Sequence, residues 1–423
     1  MEPHGQNPWF PARRPCGATS QPHDSAIPHG QRPWSPAAGM ESLATPNMGY
    51  DQENQSAEFD YLSVDSFIKS IVDARALASA FELRLIDHLV KNQPLALDDL
   101  KKRFRSDAQG LQLLLNLLMS NRVVEESNGE IRLTQQFMNV LRYRDLLEAK
   151  LEFSNFALPD FMDLFTLLIQ NPDRFNQHAR IFDLFGYSRC FEYNPENYKL
   201  TKRWMRITTS LTKYEAQVCM KYHDFGQCQR LLDIGGNSGE FVLQICKRYP
   251  GIVATVFDLP LVCDIGEEYI RSEPEADRIK FIKGNALTDT LPKGFDLITF
   301  KSMLHDWPAK EAKRLIVKAS QSLEPGGTLL IFERGPLEVS ETTLPYSMIP
   351  FLLFFRSFRS PVIYEEQLGD SDFQDISVQE INLETPFYLV TARKASLTGN
   401  DRSGKLPETK GEKIRFNLGK DEG

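Results

Sequence analysis

The stretch "LLDIGGNSGEF" (residues 231–241) decides the fold. An apolar run ends at Asp233, bends through Gly235, Gly236 and Gly239, and continues with helical spacing. A strand that turns on glycines into a helix is the opening unit of a doubly wound α/β sheet. Ligands bind such sheets at the carboxyl ends of the strands.

Outward from this bend the pattern alternates. Strands are predicted at "RLLDIG", "VATVFDL", "IKFIKG", "FDLITFK" and "GTLLIFE", with helices between them such as "AKEAKRLIVKASQSL" (309–323). This is a parallel, doubly wound order. Two further strands, "FQDISVQEI" (373–381) and "FYLVTARK" (387–394), follow with only a short link and read as a closing antiparallel hairpin. Most dinucleotide folds lack such a hairpin.

Upstream, "SFIKSIVDARALASAFELRLIDHLV" (66–90) reads as one helix, with Ile71, Ala74, Ala78, Phe81, Leu85 and Leu89 on a face. "LALDDLKKRF" forms a second helix. Ser106 and Asp107 cap a third, "AQGLQLLLNLLMSN", and "RVVEESNGEIRLT" forms a hairpin turning at Asn128-Gly129. Three helices and a hairpin make a winged helix. A DNA-reading helix needs polar or basic side chains on its outer face. The third helix carries Leu111, Leu113, Leu114, Leu115, Leu117, Leu118 and Met119, and no Lys or Arg. It is apolar nearly all round, which predicts burial and a dimer interface rather than a nucleic-acid surface.

The ends differ in composition. Nine of the 25 prolines fall in the first 46 residues, with His4, His23 and His29 scattered among Gly, Ser and Gln, so residues 1–60 read as a disordered leader. Residues 396–423 read as a flexible polar tail. Between them the domains read as a winged-helix dimerisation domain (64–140), a helical linker and substrate or dimer segment rich in aromatics (141–225), and a cofactor domain (226–395). The 423-residue chain has a net charge of −8, which argues against bulk attraction to nucleic acid or anionic lipid. Its six cysteines form no CxxC pair and no zinc-like cluster, which fits a reduced, cytoplasmic protein and no metal site. Apolar runs such as "IPFLLFF" (349–355) fall far short of the roughly 20 residues that span a bilayer.

Three ligands compete for the glycine bend. A Walker loop needs GxxxxGK[ST], which is absent. A dinucleotide site wants G-x-G-x-x-G, and Glu240 at the helix start would repel a pyrophosphate. S-adenosylmethionine has no phosphate and needs close backbone and an acidic partner for its ribose. Asp258 ends the second strand 19 residues after Gly239 and can accept ribose hydroxyls, a feature shared with NAD sites. Asn285 in "GNALTD" is placed to meet an adenine edge. Lys301 and His305 lie four apart where the fourth strand ends, and Glu333 ends the fifth, within reach of the imidazole.

The set "LLDIGGNSGEF", "VFDLP", "FKSMLHDWP" and "EPGGTLLIFE" resembles the plant-type O-methyltransferases. That family includes caffeic acid, isoflavone and acetylserotonin O-methyltransferases, with bacterial relatives that methylate carotenoids and aromatic antibiotics. The resemblance covers about residues 64 to 394. It implies a class I methyltransferase domain with a Rossmann-like sheet, behind a winged-helix dimerisation domain. It also implies a metal-independent homodimer that takes S-adenosylmethionine and a small hydroxylated acceptor. By match, Gly235, Asp258, Asn285 and Lys301 contact the cofactor, along with the rest of the bend (Asp233, Gly236, Gly239). His305 is the general base, Glu333 orients it, and Asp306 stands beside it. A neutral histidine near pH 7 suits a phenol or similar hydroxyl.

This chain departs from the family pattern at three places. Asn237 stands where many relatives have glycine, and Asn tolerates left-handed backbone. Asn285 replaces a usual aspartate. Phe358 falls where some relatives have a second glutamate near the base, and "YSMIPFLLFFRSF" (346–358) would line an apolar acceptor pocket. Two alternatives remain: a family member with non-methylating chemistry, and a winged-helix regulator that responds to S-adenosylmethionine.

Overall fold

A computed structural model describes residues 57–68, 71–104, 107–337 and 345–396. Residues 1–56 of the predicted leader with its three histidines, Ser106, and nearly all of the polar tail lie outside the described residues, whereas residues 57–60 open a short helix, Ala57–Phe67, rather than ending a disordered leader.

The N-terminal part is helical with a small sheet. Strands β1 (Leu95–Ala96), β2 (Val124–Ser127) and β3 (Glu130–Leu133) pair in the order β1-β3-β2. The hairpin turns at Asn128 and Gly129 with φ 55° and 79°, the left-handed pair that a tight two-residue turn needs. The stretch predicted as one helix is two, Ile71–Glu82 and Leu85–Asn92, broken where Arg84 takes φ 57°. Its buried face matches the predicted one at Ala74, Leu85 and Leu89 and differs at Ile71, Ala78 and Phe81. Ala74, Leu77 and Ala80 pack inward against helix Ala108–Ser120, and Ile71 is 43% exposed. The small side chains permit that close approach.

Helix Ala108–Ser120 starts on Asp107, whose carboxylate accepts from the Gly110 N–H at 2.7 Å. Contrary to the expectation of all-round burial, only Leu111, Leu115 and Leu118 are buried, and Leu113 is 60% exposed. With Ile71, Val72, Leu83 and Val90, Leu113 leaves apolar side chains uncovered in the single chain.

Two long helices, Arg144–Gln170 and Pro195–Tyr222, follow. They lead to a seven-stranded sheet of β4 (Arg230–Ile234), β5 (Val253–Asp258), β6 (Ile279–Lys283), β7 (Phe295–Lys301), β8 (Leu323–Arg334), β9 (Phe373–Asn382) and β10 (Pro386–Lys394). The order is β6-β5-β4-β7-β8-β10-β9. The first five strands are parallel, and β10 inserts antiparallel between β8 and β9. Chain order reverses beside β4 and β7, which is where such a sheet opens a crevice. Leu231, Ile298, Leu330 and Val390 are fully buried, as expected of strands covered on both faces. Among the described residues no helix is long and apolar enough to cross a membrane.

Candidate active site

The crevice lies over the carboxyl ends of β4, β5, β7 and β8 and is closed by helix Pro195–Tyr222. Its empty volume is about 1450 Å³ including the open mouth. Of the residues singled out from sequence, Asp233, Gly235, Gly236, Asp258, Asn285, Lys301, His305 and Asp306 all line it. Gly239 and Glu333 are not among its wall residues. Gly239 opens helix Glu240–Arg248, and Glu333 is fully buried behind His305.

The bend after β4 is shaped by backbone that side chains would obstruct. Gly235 sits at φ 72°, and a Cβ there would come within 2.5 Å of Met303 Cγ. A Cβ on Gly236 would lie 2.6 Å from Asp233 Oδ2. Asn237 takes φ 54°, so the bend keeps its left-handed step without glycine. Its side-chain oxygen accepts from the Ser238 N–H at 2.8 Å, and its own N–H donates to Asp258 Oδ2 at 2.8 Å. Asn237→Ala should therefore destabilise the protein by about 1–2 kcal/mol, the cost of forcing a Cβ residue without a local hydrogen bond into left-handed backbone. Thermal unfolding of wild type and variant would measure it; an unchanged melting temperature would refute this reading of the bend.

Carboxylates in the crevice are held unusually. Burial pushes Asp258 up to about 6, against the opposing N–H donors of Leu259 and Asn237. Burial pushes Asp233 up to about 7; Thr299 Oγ1 donates to its Oδ1 at 2.7 Å, while its Oδ2 is buried with no hydrogen-bond partner. Asn285 Oδ1 is already committed to the Leu287 N–H at 3.0 Å, which holds its own loop in shape. The Lys301 ammonium is not free in the crevice. It pairs with Glu215 and donates to Thr212 Oγ1 at 2.9 Å. Glu215 also pairs with Arg334, which reaches Glu384 at 3.2 Å and lies over the rings of Phe351 and Phe387. Burial disfavours the Glu215 charge, but Arg334 and Lys301 outweigh it and hold the group at about 2.

The turn Leu304–Asp306 carries the titratable cluster. His305 Nδ1 lies 2.7 Å from Glu333 Oε2, and Glu333 Oε1 accepts the N–H groups of Met303 at 2.7 Å and Leu304 at 2.6 Å. Burial alone would raise Glu333, but the imidazole and the two N–H donors keep it low and ionised. A carboxylate only accepts, so Nδ1 carries the proton and donates. Nε2 is left towards the crevice, 3.4 Å from Asp306 Oδ1. Asp306 Oδ2 accepts from Tyr187 Oη at 2.7 Å. Burial pushes the imidazole down, yet Glu333 and Asp306 together hold it above its ordinary value. Both carboxylates thus favour the protonated ring. Phe358 stands edge-on to the imidazole at 5.2 Å and Phe354 at 6.1 Å.

Two protein-family models match the chain. The O-methyltransferase domain matches residues 170–360, and the O-methyltransferase dimerisation domain matches residues 66–148. The chain belongs to the S-adenosylmethionine-dependent O-methyltransferase family.

Among its relatives, chicken (Gallus gallus) acetylserotonin O-methyltransferase is 24% identical, covering 72% of this chain and 90% of that protein. A human probable bifunctional dTTP/UTP pyrophosphatase/methyltransferase is 26% identical over 63% of this chain, and the chain spans only 43% of its length. The structure of human N-acetylserotonin methyltransferase, solved with S-adenosylmethionine, shares the fold at TM-score 0.61. It is 21% identical, covering 76% of this chain and 94% of that one. Neither the non-methylating nor the regulator alternative finds support among these relatives.

Several wall residues of the methyltransferase were not found from sequence. Thr208, Thr212 and Glu215 line the crevice from one helix. Their 4-and-3 spacing puts them on one face, which was a readable signal. Trp204, four residues before Thr208, shares that face, and Trp307 lies in the quoted "FKSMLHDWP"; Arg334 carried no signal, because only tertiary packing brings it there.

Proposed function

We propose that this methyltransferase moves a methyl group to the hydroxyl of a small acceptor with an aromatic or otherwise apolar body, with His305 as general base. The observation that carries this is the imidazole itself. It is fixed by Glu333 on one side, open to the crevice on the other, and ringed by Phe354 and Phe358. Phe153, Phe185 and Tyr187 extend the same apolar wall, which suits a flat acceptor.

Gly235, Gly236, Asp258, Asn285 and Lys301 are the residues that would hold S-adenosylmethionine. The open backbone at Gly235 and Gly236 and the raised carboxylate of Asp258 fit a ligand that brings hydroxyl donors and no phosphate. Bound there, the cofactor supplies an electrophilic sulfonium methyl. His305 Nε2 takes the proton of the acceptor hydroxyl as the oxygen–methyl bond forms. Glu333 stabilises the imidazolium that results and keeps Nδ1–H fixed. The apolar rings keep water from competing for the methyl. A methyl ether and S-adenosylhomocysteine leave.

The exposed Ile71, Val72, Leu83, Val90 and Leu113 support pairing of two copies through the dimerisation domain. Five described cysteines are free and four of them buried, which supports a reducing, cytoplasmic setting.

The test is a panel of hydroxylated aromatics incubated with protein and S-adenosylmethionine. One-methyl mass gain on an acceptor, with an equal yield of S-adenosylhomocysteine, is expected. For that acceptor, kcat/KM should rise with pH across a limb whose midpoint lies above 6.5, since the base works only when neutral and its carboxylate neighbours hold it up. Glu333→Gln removes one of those carboxylates and should move the limb to lower pH. A protein that binds cofactor but methylates nothing on the panel, or a limb unmoved by Glu333→Gln, would count against the assignment.

A further inference from the structure

The turn that presents His305 is gripped from two sides. From strand β8, Glu333 Oε1 accepts the N–H groups of Met303 and Leu304. From the segment that follows the apolar 346–354 stretch, the Arg359 guanidinium donates to the carbonyls at both ends of the turn. Nη1 reaches Leu304 O at 2.8 Å, and Nη2 reaches Trp307 O. An anion thus holds the amide poles of the turn and a cation holds its carbonyl poles, with His305 between them. Arg359 is only 8% exposed. A buried guanidinium is costly unless its donors are met, so this residue is placed for those carbonyls rather than for solvent. Its neighbour Phe358 packs on the imidazole, so two consecutive residues contact the ring and the backbone of the same turn.

We propose that Arg359 is a positioning residue: by bracing the carbonyls of Leu304 and Trp307 it sets the register of the turn, and so holds the His305 imidazole against Glu333. It touches neither the imidazole nor the crevice wall, and acts through the turn backbone. The proposal rests on the reading of His305 as the base for its consequence in catalysis, but not for its geometry. Losing one of the two grips lets the turn relax, and a displacement of about 1 Å at a catalytic group can cost about 100-fold in rate.

The groups that face His305 are Glu333 and Asp306, with Tyr187 behind Asp306 and the Arg334 charge further off. A change at 359 replaces none of these, but the Arg359 charge acts on Asp306, so Arg359→Lys, which keeps that charge, is the control. The experiment is therefore a titration of the His305 ring by ¹⁵N NMR in the full chain, with the resonance assigned by its loss in His305→Gln. It is run on wild type, Arg359→Ala and Arg359→Lys. S-adenosylhomocysteine binding by calorimetry serves as the check on folding. In Arg359→Ala the midpoint of His305 should fall and its Nδ1–H signal should broaden, because the contact with Glu333 loosens, while S-adenosylhomocysteine still binds. Arg359→Lys keeps the charge and reaches one carbonyl, so it should fold and lie between the two. Millimolar guanidinium ion should move Arg359→Ala back towards wild type. A residue with only a structural role would lower the melting temperature and leave the titration of His305 where it was; that result overturns the proposal. If Arg359→Ala does not fold, an Arg359→Lys titration identical to wild type overturns it equally. Neither readout needs an acceptor. Failure here is thus separate from failure of the base assignment, which shows as methylation surviving His305→Gln.

Discussion

His305→Ala should lower methyl transfer by about 10²- to 10⁴-fold, the range of a lost general base, in a protein that still folds and still takes up cofactor. The expectation follows from what the imidazole touches. It bonds to Glu333, stands beside Asp306 and meets two phenyl rings, and the glycine bend that would hold the cofactor belongs to a different strand end. Removing the ring leaves Glu333 buried, but its other oxygen keeps the N–H groups of Met303 and Leu304. The turn should therefore persist. Calorimetry with S-adenosylmethionine, beside single-turnover methylation on whichever acceptor the panel returns, separates the two effects. Wild-type rates in this variant would remove His305 from the chemistry. Residual activity that rises steeply with the acidity of the acceptor would be the signature of a hydroxyl losing its proton without help.

The second large effect is on affinity. Asp258→Ala should weaken S-adenosylmethionine binding by roughly 10- to 100-fold, from the loss of charge-assisted hydrogen bonds worth about 1.5–3 kcal/mol. Asp258 has two tasks in the structure. Its carboxylate faces the crevice, and its Oδ2 accepts the Asn237 N–H and so ties β5 to the bend after β4. Asp258→Asn keeps an acceptor for that amide and should lose less. Burial raises Asp258 to about 6, and a ligand that donates hydroxyls to it favours the ionised form. Affinity should therefore fall as pH drops through about 6 in wild type and stay flatter in Asp258→Ala. Equal affinity in both proteins at neutral pH would show that the ribose is held elsewhere.

How far the sequence was readable depended on the range of the interactions. The sheet was legible strand by strand, because parallel strands covered on both faces read as continuous apolar runs and glycines mark the bend. The closing hairpin was legible because only a short link joins "FQDISVQEI" to "FYLVTARK". The break at Arg84 was not: apolar spacing runs through it unbroken, and nothing in Leu83-Arg84 announces left-handed backbone. The exposure of Leu113 was hidden for a related reason, since periodicity cannot say which chain covers an apolar face. At the site, the strand ends placed Asp258, Lys301, His305 and Glu333 near one another. The partners that change their behaviour come from distant segments. Glu215 holds the Lys301 ammonium in an ion pair, and Arg359 braces the turn. Ion pairs and carbonyl contacts between segments far apart in the chain leave no local trace.

The buried cluster at the rear of the crevice has a consequence for how this sequence can drift. Glu215 and Glu384 are balanced by Lys301 and Arg334, with each side chain 9% exposed or less. One member comes from helix Pro195–Tyr222, two from strand ends and one from the turn before β10. Replacing a single member strands a charge that has no water to turn to, at about 3–5 kcal/mol, a large part of what a domain has to spare. Exchanging a pair for apolar residues of similar volume is far cheaper. Inheritance at positions 215, 301, 334 and 384 should therefore be linked: descendants that keep one member keep its counterpart, and those that abandon one abandon both.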